Sequence, residues 1–415
     1  MSEYINCFPG YEFKYFEDER TWKNMYRGDD LGKGGWVYAE PGMYYDVALL
    51  DVGNMHGASI IALNKFGEHT KNYSDLREAR MLIKHGEYEK AKAMFNGKLA
   101  KYLTNPEEAD QLQQALKLCL NSTYGIAAAT FENPLRDIRD KNNIIALRGA
   151  LFMRTLKDEL IARGYPGIHY KTDSVKIPGA TKEIIDFVIE FGRKYSYEFE
   201  HEATYEKMCL VNDAVYIAKY MKPEDALKRY GYIPSGIAKH YKKHDYPWTA
   251  TGTQFQVPYV FKTLFSHEPI EFQDLCETKT VKTALYLDMN EDLPDVSQYE
   301  KELSKIENKD GVKFGAEERA EELHRLIEQG HVYQFIGKVG LFCPMKPGSG
   351  GGILLRKSDT GYSAATGTKG YRWLESEVVK TLNKQDDIDR RYYAAMVDEA
   401  VASISQYGDF EAFAS

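Results

Sequence analysis

Two aspartates each follow or interrupt a stretch whose pattern predicts a β-strand. Asp51 comes after the apolar run "YYDVALL" and before the small-residue turn "VGNMHGAS". Asp173 lies in "YKTDSVKI", where alternating residues between the turn segments 164–167 and 178–179 predict a short strand or hairpin with the acid at its tip. If the two strands are neighbours, the carboxylates converge, and paired oxygen ligands of this kind hold Mg²⁺ beside a substrate phosphate. The pairing alone is weak evidence, because any two aspartates can be paired in this way.

The segment "ALKLCLNSTYGI" (115–126) adds a second candidate binding surface. Lys117, Asn121 and Tyr124 recur at i, i+4 and i+7, so they share one face of a predicted helix that we expect to end at Gly125. A cation, an amide and an aromatic ring on successive turns suit a nucleotide, with the ammonium on phosphate and the ring near a base or sugar. An ordinary solvent-exposed face is the alternative, but the particular spacing favours the nucleotide.

Three motifs, in this order, resemble those of the family B DNA polymerases. The segment "LLDVGNMHGASII" resembles the first palm motif, "KLCLNSTYG" matches the fingers motif, and "YKTDS" resembles the second palm motif, which is usually Asp-Thr-Asp-Ser. The resemblance covers about residues 34–180. Phrases in the C-terminal third, such as "GTKGYRWLES", are similar to phage-encoded members of the family.

The resemblance implies a two-metal site for nucleotide transfer. Asp51 and Asp173 would be the catalytic carboxylates and, with the Val52 carbonyl, would bind two Mg²⁺ ions, for which Mn²⁺ can substitute. Arg80 and Lys84 lie one turn apart on the preceding helix and would grip the triphosphate, although a solvated helix face is an equal alternative for that pair. The implied nucleotide-binding set consists of the backbone amides of Asn54, Met55 and His56 and the side chains of Arg80, Lys84, Lys117, Asn121 and Tyr124.

Candidate contacts to primer–template DNA follow the second palm motif. The segment "VNDAVYIAKY" (211–220) occupies the place of a Lys-x-Tyr primer-gripping motif, but Ala214 stands at the lysine position. Tyr216 is retained, and we expect Lys219 to substitute for the missing cation. The tyrosine-rich segment 228–244 is basic, and a DNA-binding surface and a solvated helix face or loop are equal alternatives for it. Within it, "HYKKH" lacks the glutamate of a zinc site, which favours a loop that contacts the DNA backbone over a metal site. The candidate DNA-binding residues are Tyr216, Lys219, Lys239, Lys242 and Lys243.

The chain departs from the family pattern at two positions that matter for chemistry. Lys171 stands where the family often has the first aspartate of Asp-Thr-Asp. It would lower the pKa of nearby carboxylates or contact a phosphate, and a tolerated surface lysine is an equal alternative. His56 stands where the family commonly has a tyrosine that excludes ribonucleotides by packing under the sugar. Because imidazole is smaller than phenol, the strictness of sugar selection is an open question.

The order of predicted elements indicates an α+β fold, in which Thr104 or Asn105 would cap and Pro106 would open one helix and residues 315–329 would form another. The resemblance extends this fold to a right-hand polymerase. That architecture has a palm sheet, a helical fingers insertion and a C-terminal thumb. The expected parts are an N-terminal segment (1–33), the first palm part (34–65), the fingers (66–128), the second palm part (129–235) and the thumb with the C-terminal region (236–415).

Composition sets the remaining limits. The 415 residues carry a net charge of −8, which argues against a general polyanion-coating protein but does not exclude a local DNA-binding surface. The five cysteines are scattered without a CxxC, which favours a reducing compartment over a disulfide framework or zinc knuckle. No apolar run reaches membrane-spanning length, and we find no signal peptide. We therefore expect a cytoplasmic protein without a membrane partner, in the host cytoplasm if it is phage-encoded.

Only about 33 residues precede the palm-like run, and they contain no Asp-x-Glu. The 3′–5′ exonuclease domain that is usual in this family does not fit in that length. Either proofreading is absent or another polypeptide supplies it. We favour a split enzyme in which this chain polymerises and a separate exonuclease chain, with other replication proteins, docks near the aromatic N-terminal segment. The alternative is that these aromatic residues pack on the palm.

The sequence therefore predicts an enzyme, a template-directed DNA polymerase that adds deoxynucleotides from their triphosphates to a primer. Two alternatives remain open. One is a catalytically silent, polymerase-fold DNA-binding subunit, which Lys171, Gly57 and the missing exonuclease domain motivate. The other is a translesion or primase-like nucleotidyltransferase with relaxed sugar selection, which His56 motivates.

Overall fold

The structure is a computed structural model, and it describes residues 7–135, 143–289, 301, 303–307, 311, 315–329, 333–358 and 361–415. The chain forms two compact units, Met1–Thr251 and Gly252–Ser415. Both units combine helices with antiparallel sheet, so the mixed α+β class is confirmed. The finer division into the five predicted parts stays a prediction.

The first unit is built on an antiparallel sheet that carries both aspartates. The strand order within this sheet is β10-β9-β8-β5-β7-β6-β4. The long strand β5 lies at its centre, and its continuous apolar run of residues 47–50 is buried on both faces of the sheet. The strands are β4 (Val37–Ala39), β5 (Gly42–Val52), β6 (His169–Lys171), β7 (Ser174–Pro178), β8 (Phe199–Leu210), β9 (Tyr216–Tyr220) and β10 (Trp248–Thr251).

Helices cover one face of this sheet and form the segment between the palm-like motifs. Asn105 caps α4 by accepting a hydrogen bond from the Glu108 amide at 2.9 Å, and Pro106 opens the helix, as the sequence predicts. The prediction that this helix ends at Gly125 is wrong, because α4 continues to Ala128. The helices are α1 (Met55–Ala62), α2 (Thr70–Lys84), α3 (Tyr88–Ala93), α4 (Pro106–Ala128), α5 (Ile144–Ala162), α6 (Lys182–Lys194), α7 (Pro223–Tyr230) and α8 (Ser235–Tyr241).

The core of the first unit fixes which face of the sheet carries polar chemistry. Leu50, Val175 and Ile177 are fully buried in the same hydrophobic cluster as most of α5. Since side chains alternate along a strand, Asp51 and Lys176 point to the opposite face. Hydrophobic burial of one face therefore directs the chemistry to the other.

The N-terminal segment forms a small sheet of its own, with β1 (Glu12–Phe16), β2 (Thr21–Tyr26) and β3 (Asp29–Asp30) in that order. Tyr26 is buried and its hydroxyl shares a 3.0 Å hydrogen bond with Thr155 on α5, so part of the segment packs on the first unit. Tyr15 and Trp22 are 42% and 50% exposed on the same small sheet. The proposed contact of this segment with a partner chain stays a prediction.

The second unit contains a five-stranded sheet of order β14-β13-β11-β12-β15 with its own hydrophobic cluster. The helix expected at 315–329 is present as Ala316–Gln329. Among the described helices, none is both long and apolar enough to cross a membrane. The strands are β11 (Glu277–Asp288), β12 (Tyr333–Met345), β13 (Ile353–Ser358), β14 (Gly361–Ala364) and β15 (Arg372–Glu375). The helices are α9 (Thr253–Gln256), α10 (Pro258–Phe261), α11 (Ala316–Gln329), α12 (Ser376–Thr381), α13 (Arg390–Ser405) and α14 (Phe410–Ala414).

Candidate active site

Strand register brings the two aspartates side by side. Asp51 is paired with Ser174 across the β5–β7 ladder, so it lies next to Asp173. The Val52 amide donates a 2.8 Å hydrogen bond to the Asp173 carbonyl, which fixes the two backbones together. Asp51 and Asp173 were expected to converge only if their strands are neighbours. Strands β5 and β7 are neighbours in the sheet, so this condition is met.

The turn that carries Asp173 is strained. Thr172 has φ = 57°, a left-handed conformation that a β-branched residue rarely adopts. The Asp173 amide donates to the Lys171 carbonyl at 2.7 Å, which closes a three-residue turn around Thr172. Gly35 makes room for this turn, because a Cβ at that position would lie 2.4 Å from the Thr172 hydroxyl. Strain of this kind costs about 1–3 kcal/mol and is concentrated at functional sites.

Burial is the main influence on the pKa values of the pair, and neighbouring carboxylates add to it. Burial raises the pKa of Asp51 to about 8, and the charges of Asp173 and Glu202 add to that rise. Burial also raises the pKa of Asp173, to which the charge of Glu202 again contributes. Glu202 is brought near by an irregularity in the β5–β8 ladder, where Leu49 is paired with Ala203 but Leu50 with His201. Two or three carboxylates compressed in this way attract a divalent cation.

The oxygen donors suit an Mg²⁺ ion whose coordination shell is completed by a substrate. Among the described residues, no group of three or more His, Cys, Asp or Glu side chains is arranged to hold a metal by itself. Mg²⁺ usually binds through only one or two carboxylates and takes water and phosphate oxygens as its other ligands. Asp51 and Asp173, with the adjacent Val52 carbonyl, are the oxygen donors that would hold it here.

The raised pKa of Asp51 predicts a pH-dependent stability in the metal-free protein. The folded protein retains a proton on Asp51 that the unfolded chain releases above about pH 4. The stability that this proton contributes is complete below about pH 4 and is lost as the pH rises to about 8. We therefore expect Asp51→Asn, which cannot ionise, to become more stable than the wild type across this window, by at least about 1 kcal/mol at pH 8.

Thermal melts of both proteins in EDTA at pH 5 and pH 8 measure this difference. Subtracting the wild-type curve removes the contributions of all other titrating groups. A stability difference between the two proteins that stays constant from pH 5 to pH 8 would contradict the prediction. Excess Mg²⁺ should reverse the ranking at pH 8, because the ion binds only the ionised carboxylate.

A buried lysine lies behind the carboxylates. Lys176 is only 3% exposed, and its ammonium lies 3.1 Å from Nδ1 of His169 and 4.8 Å from the centre of the Tyr216 ring. Burial lowers the pKa of Lys176 to about 8, while its charge lowers the pKa of Asp173. Lys171, the lysine in the motif itself, is exposed at the tip of the hairpin. The cation that acts on Asp173 is therefore Lys176.

The turn after β5 presents backbone amides beside Asp51. Asn54 has φ = 56° and caps α1, with its side-chain oxygen accepting from the Gly57 amide at 3.1 Å. Helix geometry leaves the amides of Met55 and His56 in the first turn without intrahelical acceptors. The positive end of the α1 dipole therefore lies four residues from the Asp51 carboxylate, and such helix ends attract anions.

Helix α2 carries a row of cations at i, i+3 and i+7, namely Arg77, Arg80 and Lys84. Arg77 donates to the Gly53 carbonyl at 2.8 Å, directly after the Asp51 strand. Arg80 is only 9% exposed, and its Nε has no hydrogen-bond partner among the described residues. Lys84 forms an ion pair with Glu200 at 2.8 Å, and its charge lowers the pKa of Asp51. The expected pair Arg80 and Lys84 therefore belongs to a longer cationic row near the acids.

The predicted face of α4 meets α1 through an aromatic stack. The rings of Tyr124 and His56 are 4.0 Å apart and nearly parallel, at 14°. Burial lowers the pKa of His56, so its imidazole is neutral near pH 7, and its Nδ1 is buried without a partner among the described residues. Asn121 and Lys117 are exposed on the same face, about 4.5 and 10.5 Å farther along the helix axis.

The DNA-binding candidates are not all brought together. Tyr216 lies against Lys176 on the face that carries the acids. Lys219 is three residues further along β9, so it projects to the opposite face, where it lies 3.6 Å from Glu206. Lys239, Lys242 and Lys243 are exposed on and just after α8. The cation beside Tyr216 is thus Lys176.

Sequence reasoning missed four residues of this site: Lys176, Arg77, Glu200 and Glu202. A signal existed for some of them. Lys176 follows Ser174 by two residues, so the strand alternation already places it on the Asp51 side of the sheet. The glutamates of "EFEHE" also alternate, but only the register of β8 against β5 and its bulge bring them to Asp51.

No protein-family model matches this chain, and no curated protein matches its sequence. Among solved structures, the chain is similar to the family B DNA polymerase from the hyperthermophilic archaeon Pyrobaculum calidifontis, with a TM-score of 0.42 and 12% sequence identity. The likeness covers 97% of this chain and 49% of that one, so the chain spans about half the length of the archaeal polymerase. A likeness of this extent assigns neither a family nor an activity to the chain.

Proposed function

We propose that this protein is a template-directed DNA polymerase that adds deoxynucleotides to a primer 3′-hydroxyl. The observation that carries the proposal is the pairing of Asp51 with Asp173 in a buried, acid-rich site beside the cations of α2. Two converging carboxylates alone would suit many metal sites. Their combination with Arg80 and with the Lys117 face of α4 suits a triphosphate substrate.

In the proposed architecture, the central sheet of the first unit is the palm and segment 66–128 is the fingers. The C-terminal region from residue 236 would form the thumb. Primer–template DNA and deoxynucleoside triphosphates are the proposed partners. The protein would hold DNA mainly through its backbone phosphates, so affinity should fall steeply with salt.

In the proposed reaction, the primer hydroxyl attacks the α-phosphorus, a new P–O bond forms, and pyrophosphate leaves. Bound Mg²⁺ ions would supply the charge that lowers the pKa of the hydroxyl and balances the triphosphate. Asp51 and Asp173 would hold the ions, and phosphate oxygens of the substrate would supply further ligands. Arg80 and Lys117 would neutralise the leaving pyrophosphate. The stacked rings of His56 and Tyr124 would form a wall for the nucleotide.

Primer extension tests the proposal directly. A primed single-stranded template is incubated with the protein, Mg²⁺ and the four deoxynucleotides, and elongated and shortened primers are scored together. We expect template-dependent elongation without loss of primer ends. Binding of primed DNA with no elongation would favour the alternative, a silent polymerase-fold subunit that only binds DNA.

His56 favours a second candidate function, a nucleotidyltransferase with relaxed sugar selection. If the imidazole lies under the sugar, it leaves space that a tyrosine would fill. We expect His56→Tyr to increase the preference for deoxynucleotides over ribonucleotides by at least about tenfold in kcat/KM, because the larger ring would clash with a 2′-hydroxyl.

Single-nucleotide incorporation with both nucleotide types measures this ratio. His69→Tyr, a change of the same kind at an exposed position before α2, serves as the control. An unchanged ratio in the His56 variant would remove this residue from sugar selection.

A further inference from the structure

Helix α2 is tied to the central sheet by one carboxylate that serves two basic residues. The Lys84 ammonium donates to both oxygens of Glu200, at 2.8 and 3.0 Å, and Nε2 of His85 lies 3.0 Å from one of them. Burial alone would raise the pKa of Glu200, but the hydrogen bonds from Lys84 and His85 lower it below its ordinary range. Glu200 is therefore ionised near neutral pH and holds the last turn of α2.

The position of this contact connects it to the candidate active site. Glu200 is paired with Asp51 across the β5–β8 ladder, so Lys84 is held one strand away from a catalytic candidate. Arg80, one turn earlier on α2, has an Nε without a hydrogen-bond partner among the described residues, and the Glu200 charge acts on it only at longer range. Lys84, in contrast, is in direct contact with the Glu200 carboxylate.

We propose, on the basis of the function proposed above, that Glu200 is a positioning residue which occupies Lys84 until a triphosphate takes its place. The side chains of Lys84 and Glu200 are 35% and 28% exposed. An ion pair with this much solvent access is weak, so a polyanion that also meets Arg80 displaces it readily. The exchange moves the Lys84 charge from a protein carboxylate to the substrate.

His85 gives the exchange a defined end state. When Lys84 leaves, the imidazole still contacts Glu200, so the carboxylate is not left without a partner. Glu200 would then continue to hold α2 near the sheet through His85. The two basic neighbours therefore have different roles, one released to the ligand and one retained.

Binding of inorganic tripolyphosphate tests the exchange without DNA or catalysis. Titration calorimetry in EDTA compares the wild type, Glu200→Gln, Lys84→Met and the double variant. We expect Glu200→Gln to bind about fivefold more tightly than the wild type, because Lys84 is already free. The double variant should lose this gain.

Glu206→Gln is the matched control, since it removes the same charge from the same strand at a residue 49% exposed and 3.6 Å from Lys219. Thermal melts verify that every variant is folded. An equal gain in tripolyphosphate affinity in Glu200→Gln and Glu206→Gln would show that net charge alone causes the effect. That result would overturn the proposal. Unchanged or weaker binding by Glu200→Gln would overturn it too, as would no tripolyphosphate binding by any variant.

Primer extension with the same variants separates this proposal from the proposed function. The exchange predicts a lower KM for deoxynucleotides in Glu200→Gln than in the wild type. Tighter tripolyphosphate binding without any elongation in the wild type would refute polymerisation and leave the exchange standing. Elongation with unaltered tripolyphosphate affinity would refute the exchange alone.

Discussion

Primer extension by the Asp173→Asn variant is expected to fall by about 10³-fold, a loss of about 4 kcal/mol of transition-state stabilisation. Asparagine has nearly the same shape as aspartate, so the turn around Thr172 is preserved. What the substitution removes is a charged oxygen ligand beside Asp51. Because the proposed reaction would need that charge to hold the metal ions, kcat should fall far more than the affinity for primed DNA.

Single-turnover incorporation on a primed template measures the loss, and a gel-shift assay with the same DNA measures binding. Asp186→Asn, on the surface of α6 and 53% exposed in its side chain, is the matched control and should keep full activity. Retained incorporation by Asp173→Asn would exclude this carboxylate from the chemistry. Equal losses in both variants would point to a general effect of charge removal.

The stability of the site bears on the silent-subunit alternative. A positive φ at a β-branched residue and a cluster of buried like charges are both unfavourable for folding. A protein that only binds DNA has no need of either feature, whereas a metal-dependent enzyme needs the carboxylates. We therefore expect Asp173→Asn to unfold at a higher temperature than the wild type in EDTA, as Asp51→Asn should above pH 5.

Local patterns predicted the elements of the first unit well. The strand before Asp51, the hairpin at Asp173 and the helix start at Asn105 and Pro106 each depend on a few neighbouring residues, so a single sequence is sufficient. The wrong helix end at Gly125 has a local cause too. Glycine there has no positive φ, and Ala127, buried at 7% exposure, continues the packing of α4.

Contacts between segments that are distant in the chain could not be predicted from the sequence. From sequence alone, Asp51 and Asp173 are close only if their strands are neighbours. The register of β5 against β7 shows that they are. Glu202 depends on a bulge, and the pairing of Lys84 with Glu200 joins positions 116 residues apart. Single-sequence periodicity contains no information on either, since both depend on which strands and helices pack together.

The Arg80→Met variant is expected to raise the KM for deoxynucleotides by about 10²-fold while making the protein more stable. Arg80 is 9% exposed, burial lowers its pKa, and the Arg77 charge lowers it further. A buried cation that forms no ion pair among the described residues destabilises the fold, so methionine of similar length should stabilise it by about 1 kcal/mol or more.

Steady-state incorporation and thermal melts in EDTA measure the two effects. Arg193→Met, 60% exposed in its side chain on α6, is the control and should change neither. A stabilised variant with an unaltered KM would show that Arg80 does not bind the triphosphate. A raised KM together with a raised stability would show that Arg80 serves the ligand and destabilises the fold.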